Sequence, residues 1–495
     1  MDRKWWTLLA TCVAMFMLLL DITIVNVALP EIQRDLDASF SDLQWVVDAY
    51  SLTLAAFLLT AGSLGDRIGR RRVFVAGFAI FTVASLLCGL ASHPTTLNLA
   101  RALQGVGGAA MFATTLALIA QEFQGPQRAT AFGIWGATIG GAVAIGPLVG
   151  GALTDALGWE WIFFVNVPIG IAAIALTLRK VAESRSPDAV GIDWPGFVSF
   201  STALFLLVFA LVRGNAEGWS SVQITGSLVL AGLLLLAFVA IELRSSHPMF
   251  ELSLFRKPAF IGVSIVAFCL SASMFALFLY VTIYIQDILG FGPLEAGVRF
   301  LPITLLSFFV APVAGQLLTR IPARAFFGLG LGLVGAGLLL MRGLSVDSEW
   351  TALLPGFLLA GAGIGMTNPA IASIAVGVVP TTKAGMGSGI NNTFRQVGIA
   401  TGIAGLGAVF QHQIESKLAD LLPGAPAELG EAVASSGTRG AEQGGPGAVD
   451  AAREAFVGAF NEILLIGAVI ALVGAVLGLL LTRDSDLVAE GSPHG

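Results

Sequence analysis

Charge is what this chain lacks most. Only 12% of its 495 residues are charged, against 56% hydrophobic, where a soluble domain carries roughly a quarter charged residues. That composition excludes an ordinary soluble protein. The net charge of −6 says little about partners, because the 411–455 segment alone holds seven acids and three bases; no nucleic-acid partner is expected. Cysteine is scarce. Cys12, Cys88 and Cys269 all lie in apolar runs and read as packing residues rather than a disulfide or metal set. No phosphate-cradling G-x-x-x-x-G-K-[ST] loop occurs, so ATP is not expected as the energy source. Gly361-Ala-Gly363-Ile-Gly365 is glycine-rich, but it sits in an apolar run and reads as helix packing. No nucleophile–base pair or metal constellation is visible. Catalytic residues, a metal and a cofactor are therefore not expected, and the chain does not read as an enzyme.

What is present is a succession of apolar runs of about 20 residues, the length that crosses a bilayer as a helix. The fold class is all-α integral membrane, with fourteen spans near 6–29, 43–64, 73–91, 96–120, 129–154, 161–179, 194–212, 222–242, 259–286, 297–319, 325–344, 351–379, 387–410 and 456–482. The first is too long for a secretory signal and carries polar groups, so it is read as a span. An even number puts both termini on one side. Of the 26 Lys and Arg, seventeen fall in connections on that side and seven on the other, which makes the terminal side cytoplasmic in a multi-pass protein of the cell membrane.

One connection organises the rest. Residues 62–72, Gly-Ser-Leu-Gly-Asp-Arg-Ile-Gly-Arg-Arg-Arg, crowd Arg67, Arg70, Arg71 and Arg72 into a short turn that resists translocation. Gly62, Gly65 and Gly69 allow a tight reversal and close helix approach, and Asp66 supplies a local counter-charge. A topology-setting basic turn accounts for the arginines but not for the spacing. That spacing returns at 315–324, where Gly315, Leu317, Arg320, Ile321 and Arg324 fall on Gly62, Leu64, Arg67, Ile68 and Arg71, with Thr319 in place of Asp66 and Pro322 in place of Gly69. Two halves that each carry the turn suggest a transporter built from repeats. The copies join spans two and three and spans ten and eleven, so the spans group as six, two and six. The divisions are 1–180, a linker 181–258 carrying two extra spans, 259–485, and a cytoplasmic tail 486–495. The 411–455 segment is read as an outside loop, mobile or acting as a gate, whose end 449–460 can form an amphipathic surface helix.

Ionisable residues inside spans are costly and tend to be functional. Asp21 lies roughly 13 Å and Asp48 roughly 8 Å below the outer ends of their spans, and Arg101 enters span four from the same side. An aspartate desolvated beside an arginine stays ionised, whereas one without that partner takes up a proton more readily. A proton-coupling set of Asp21, Arg101 and Asp48 is one reading; a static buried ion pair is the other. Arg395 lies deeper in span thirteen beside Asn391, Asn392 and Gln396, and no acidic partner is expected within the spans of the second half. It either binds an anionic substrate group or pairs with backbone carbonyls. In span five, Gly136 and Gly140, and Gly146 and Gly150, are four apart and give a smooth helix face, with Pro147 expected to kink it. Hinge, proton seal and tight packing all fit that spacing.

These residues resemble a family. The chain is similar to the fourteen-span drug:proton antiporters of the major facilitator superfamily over nearly its whole length. Gly62 to Arg72 resembles the superfamily's signature turn. Leu20-Asp-Ile-Thr-Ile-Val-Asn-Val-Ala-Leu-Pro30 resembles the first-span motif of the fourteen-span group and draws in Asn26. Arg101-Ala-Leu-Gln-Gly-Val-Gly-Gly108 resembles the motif whose arginine serves proton transfer. Gly146-Pro-Leu-Val-Gly-Gly151 resembles the antiporter motif. Trp159 to Pro168 also fits, although Glu160 stands where a basic residue is common. The resemblance implies two six-helix major facilitator bundles plus two inserted spans, alternating access, and a conformational switch of Gly62, Asp66, Arg67, Gly69, Arg70 and Arg71 that bridges the bundles. It places proton coupling on Asp21 and Arg101, and the antiporter motif with Gly146, Pro147, Gly150 and Gly151 argues for export over uptake. Asn26, Gln104, Asn391, Asn392, Arg395 and Gln396 are the candidate polar contacts of a substrate cavity.

The expected function is export of amphipathic drugs or antibiotics, driven by the proton gradient and needing no cofactor. The expected partners are the small substrate, protons and the lipid bilayer, with the chain acting as a monomer. A dedicated exporter of one metabolite or lipid, and a non-transporting membrane sensor, are the alternatives.

Overall fold

The computed structural model describes residues 2–482 except Ser39, 186–192, 246–247, Met249, 423–428, Glu431, 434–437, 439–440 and 442–446. The expected 486–495 tail lies outside the described residues. Helices and their connections make up the described part, with no strand among the described residues. The long helices are α1 (Arg3–Asp35), α2 (Phe40–Ile68), α3 (Arg70–Gly89), α4 (Pro94–Glu122), α5 (Gly125–Leu157), α6 (Asn166–Lys180), α7 (Trp194–Glu217), α8 (Val222–Glu242), α9 (Pro258–Ile288), α10 (Leu301–Leu317), α11 (Ala323–Leu340), α12 (Leu354–Gly377), α13 (Ala384–Leu421) and α14 (Ala448–Leu481). Two short helices, Trp161–Phe164 and Pro293–Arg299, lead into α6 and α10. A helix overlies each expected span. Among the described residues, eleven are long and apolar enough to cross a membrane. α13 is not one of them, because Asn391, Asn392, Arg395 and Gln396 dilute its apolar character.

The 411–455 segment is less of a loop than expected. α13 runs on to Leu421 and α14 begins at Ala448. Ile414 and Leu418, four apart, are buried in the same apolar core as Phe456, and Gln411 bonds Glu415 one turn on at 2.9 Å. The helices therefore continue past the expected boundary at both ends.

Packing in the second half repeats packing in the first. α1 packs on α5, α2 on α4, α3 on α4 and α3 on α6; correspondingly α9 packs on α13, α10 on α12, α11 on α12 and α11 on α14. The halves meet through α2 with α13 and, symmetrically, α10 with α5. α7 and α8 pair with each other, and α7 touches both halves. Thr60 on α2 bonds Ser201 at 3.0 Å, and Asn215 Nδ2 donates to the Ala404 carbonyl on α13 at 3.1 Å. Two apolar cores fill the first half. One holds Leu18 and Tyr50, the other Leu20, Ile24, Val46 and Phe163, and Asp21 follows directly on Leu20 along α1.

Candidate functional site: a buried ion pair and an inter-bundle clamp

Asp21 on α1 and Arg101 on α4 are each 1% exposed. Arg101 Nη1 donates to Asp21 Oδ2 at 2.5 Å and to Gln104 Oε1 at 2.6 Å, while its Nε donates to the Val46 carbonyl of α2 at 2.9 Å. Gln104 Nε2 donates to Asp21 Oδ1 and to Ser85 Oγ, both at 2.8 Å, and Asn166 Nδ2 reaches Asp21 Oδ1 at 3.5 Å. The guanidinium lies 4.4 Å from the centre of the Tyr50 ring and 5.7 Å from that of Phe163. A carboxylate and a guanidinium taken out of water persist only with this density of partners. Arg101 and Gln104, three apart on α4, present one face to Asp21. Gln104 was expected among cavity contacts; its amide is instead consumed by this network and wholly buried. Ser85 and Asn166 were not foreseen, since polar residues scattered over α3 and α6 carry no spacing that links them to Asp21.

Asp48 has a different partner. It lies 3.8 Å from Arg213 on α7, and that arginine also donates to Gln44 and to Glu217, each at 2.7 Å. Its guanidinium lies 5.5 Å from the Trp45 ring. The Asp48 side chain keeps 14% exposure, against 0% for Asp21. Arg213 was placed in a connection one residue beyond an expected span end at 212. α7 continues through it to Glu217, where the 213–217 pair closes another helical turn.

The basic turn forms a clamp between the halves. Gly62 lies against α13 so closely that a β-carbon there would collide with the Gly385 carbonyl. Asp66 accepts both Nε and Nη2 of Arg70, at 2.8 and 2.7 Å, and also the backbone amides of Gly385 at 3.0 Å and Met386 at 2.8 Å. Those amides open α13, where the helix dipole favours an anion. Gly69 has φ 123°, a left-handed conformation that favours glycine. Arg67 donates to the Pro248 carbonyl at 3.1 Å. Arg71 and Arg72 lie 3.8 and 3.6 Å from Glu183, which also accepts the Arg71 amide at 3.1 Å. Glu183 belongs to the linker after α6, and nothing in the sequence pointed to it.

On α5, a β-carbon at Gly146 would collide with Thr23, and one at Gly150 would meet Ile24 Cγ1 at 2.9 Å, so this pair seats α5 on α1. Gly151 faces open space. Gly136 and Gly140 turn to the other half, near Asn368 and Thr304. The α5 backbone stays helical through Pro147; the side chains of Pro147 and of Asn26 on α1 lie outside the described residues.

In the second half, Arg395 Nη2 donates to Asn368 Oδ1 of α12, and Asn392 Nδ2 donates to Ser388 Oγ at 3.5 Å. Arg395, Asn368, Asn391 and Asn392 are all buried, and Gln396 is half-buried. Acids do occur in second-half helices: Asp287 lies in the last turn of α9 and Glu462 in α14. Glu462 pairs with Arg342 at 3.3 Å, and neither acid reaches Arg395. Among the described residues, no group of three or more His, Cys, Asp or Glu could hold a metal ion.

Residues 11–403 match the profile of the Major Facilitator Superfamily. The chain is 38% identical over 414 residues, 83% of its length and 77% of the other's, to the multidrug resistance protein Stp of Mycobacterium tuberculosis. It is 35% identical over 422 residues, 85% and 78% of the two chains, to the tetracenomycin C resistance and export protein of Streptomyces glaucescens. The fold matches that of the proton:xylose symporter XylE with a TM-score of 0.64 at 11% identity, over 97% of this chain and 96% of the other.

Proposed function

The chain belongs to the Major Facilitator Superfamily, and from that premise we propose that it is a proton-coupled antiporter that exports amphipathic drugs or antibiotics across the cell membrane by alternating access. Family membership makes it a multi-pass membrane transporter and not an enzyme. Drug export is supported by the relatives, which are named for multidrug resistance and for tetracenomycin C resistance and export. The finer placement goes with it: the fourteen-span antiporter subgroup, bundles 1–180 and 259–485 around the insert 181–258, both termini cytoplasmic, a monomer in the lipid bilayer, and no cofactor beyond the proton gradient.

The observation that carries proton coupling is the Asp21–Arg101 pair, buried to 1% and locked by Gln104 and the Val46 carbonyl. In this closed network Arg101 neutralises Asp21. A proton delivered to Asp21 removes the charge that holds Arg101, and Arg101 keeps Gln104 and Val46 as partners. The network then has two arrangements separated by one proton, which is what a bistable bundle requires. Asp48, which retains exposure and a longer contact to Arg213, is the second carrier or the contact for a cationic substrate. Asp66 holds the cytoplasmic ends of the bundles together while the outer side admits protons and releases cargo. A narrower reading, export of a single metabolite, is favoured by the relative named for tetracenomycin C export.

Proteoliposomes given a panel of lipophilic dyes and antibiotics under an imposed pH gradient test this. Gradient-driven movement is expected in the wild type, is abolished in Asp21→Asn, and is reduced less in Asp48→Asn. Undiminished movement in folded Asp21→Asn removes Asp21 from coupling and transfers the role to Asp48. No movement of any compound in the wild type defeats the broad-export reading.

A further inference from the structure

The two buried arginines differ in their accounts of hydrogen bonds. Arg101 has a carboxylate, a side-chain amide and a backbone carbonyl. Arg395 is 8% exposed; among the described residues it makes no ion pair and donates only to Asn368. Its Nε is buried without an acceptor, as are Asn368 Nδ2 and Asn391 Nδ2; one acceptor, Asn392 Oδ1, is likewise left over. Three orphan donors against one orphan acceptor is a site short of oxygen lone pairs. An uncompensated charge and unmade hydrogen bonds at this depth are costly, and a ligand that brings the missing oxygens removes both costs.

The geometry puts these groups together at the seam between the bundles. Asn391 and Arg395 are four apart on α13 and share a face. Asn368 on α12 is bonded to Arg395, and a β-carbon on Gly136 of α5 would stand 3.7 Å from the Asn368 Cβ. We infer that Arg395, Asn368 and Asn391 form a subsite that receives a delocalised oxyanion of the cargo, a carboxylate or an ionised phenol or enol on an amphipathic compound, so that weak acids are among the substrates. A planar guanidinium presents parallel N–H groups to such an oxyanion, and the two asparagine amides supply further donors. This deepens the export reading and rests on it for the identity of the ligand as cargo.

The test is binding without a gradient. Full-length protein in lipid nanodiscs is titrated with 1-pyrenebutyrate and with its methyl ester, and energy transfer from tryptophan is corrected against empty nanodiscs. The acid is expected to bind the wild type at least about tenfold more tightly than the ester. Arg395→Gln should bring that ratio to about one, and Arg395→Lys should keep part of it. Equal binding of acid and ester by the wild type, binding of neither, or an undiminished preference in Arg395→Gln overturns the inference. If Arg395→Gln does not fold, Asn391→Ala and Asn368→Ala decide: each lowers the preference if the subsite exists, and an unchanged preference in both overturns it. Acid preference without gradient-driven export would sink the export reading and spare the subsite; export of neutral and acidic compounds alike would do the reverse.

Discussion

The two copies of the basic turn occupy matching places and make different joints. At the first, Gly62 of α2 presses on α13 at Gly385, and Asp66 takes the Gly385 and Met386 amides together with Arg70. At the second, Gly315 of α10 presses on the carbonyl of Ala129 in α5 just as closely. No carboxylate follows. Thr319 bonds back to Gln316 of its own turn at 2.8 Å, and Arg320 and Arg324 are exposed without an ion pair among the described residues. Where the first joint has its clamp, the second has an opening of about 300 Å³ lined by residues including Pro126, Thr130, Thr319 and Arg320. Pro126 cannot offer a backbone N–H at the start of α5. The lesson is that glycine spacing builds the close approach in both halves, while one aspartate facing a helix start turns an approach into a latch.

The largest effect is expected from breaking the approach itself. Gly62→Val drives a branched side chain into the Gly385 carbonyl, and overpacking of this kind costs about 1–3 kcal/mol. Transport should fall by roughly ten- to a hundredfold, read as gradient-driven efflux from proteoliposomes with expression and thermal stability held equal. Wild-type efflux from this variant would mean that the helices part freely at Gly62.

Removing only the charge comes next. Asp66→Asn keeps the volume but weakens hydrogen bonds to two amides and to Arg70, and hydrogen bonds to charged groups are worth about 1.5–3 kcal/mol. The population should shift toward states open at this end. Spin labels on α2 and α13, followed by distance measurement, would show a longer distance; an unchanged distribution would demote the latch to packing.

The smallest effect sharpens the comparison. Thr319→Asp places a carboxylate in the second joint, where α5 offers fewer amides and Arg320 and Arg324 are solvated. A surface pair of this sort is worth about 0.2–1 kcal/mol, so labels on α5 and α10 should draw together modestly and efflux should change less than about fivefold. A shift as large as that caused by Asp66→Asn would show that the carboxylate alone makes the latch, whatever helix start it faces.

Much of this was legible because membrane helices obey one-dimensional rules. Apolar length locates helices, and the 62–72 spacing with its echo at 315–324 announces the repeat that the α1–α5 and α9–α13 packings display. A charge in an apolar run also announces itself, so Asp21, Arg101, Asp48 and Arg395 stood out. Their partners did not. Gln104 read as a cavity contact and is a buried member of the Asp21 network. Arg213 read as a connection residue and reaches Asp48. Glu183 read as linker and holds Arg71 and Arg72.

By itself the sequence determined that the chain lives in a bilayer as helices, where its halves repeat, and which ionisable groups had to be paid for inside, because hydrocarbon tolerates neither an unbonded backbone nor a casual charge. Only the tertiary structure decided which charge meets which. Asp21 finds Arg101 across 80 residues and Asp66 finds Gly385 across 319, while Arg395 finds no acid among the described residues. Hydrogen bonds act over about 3 Å, so the pairing is set by how helices cross in space, and helix spacing along the chain carries no record of that crossing.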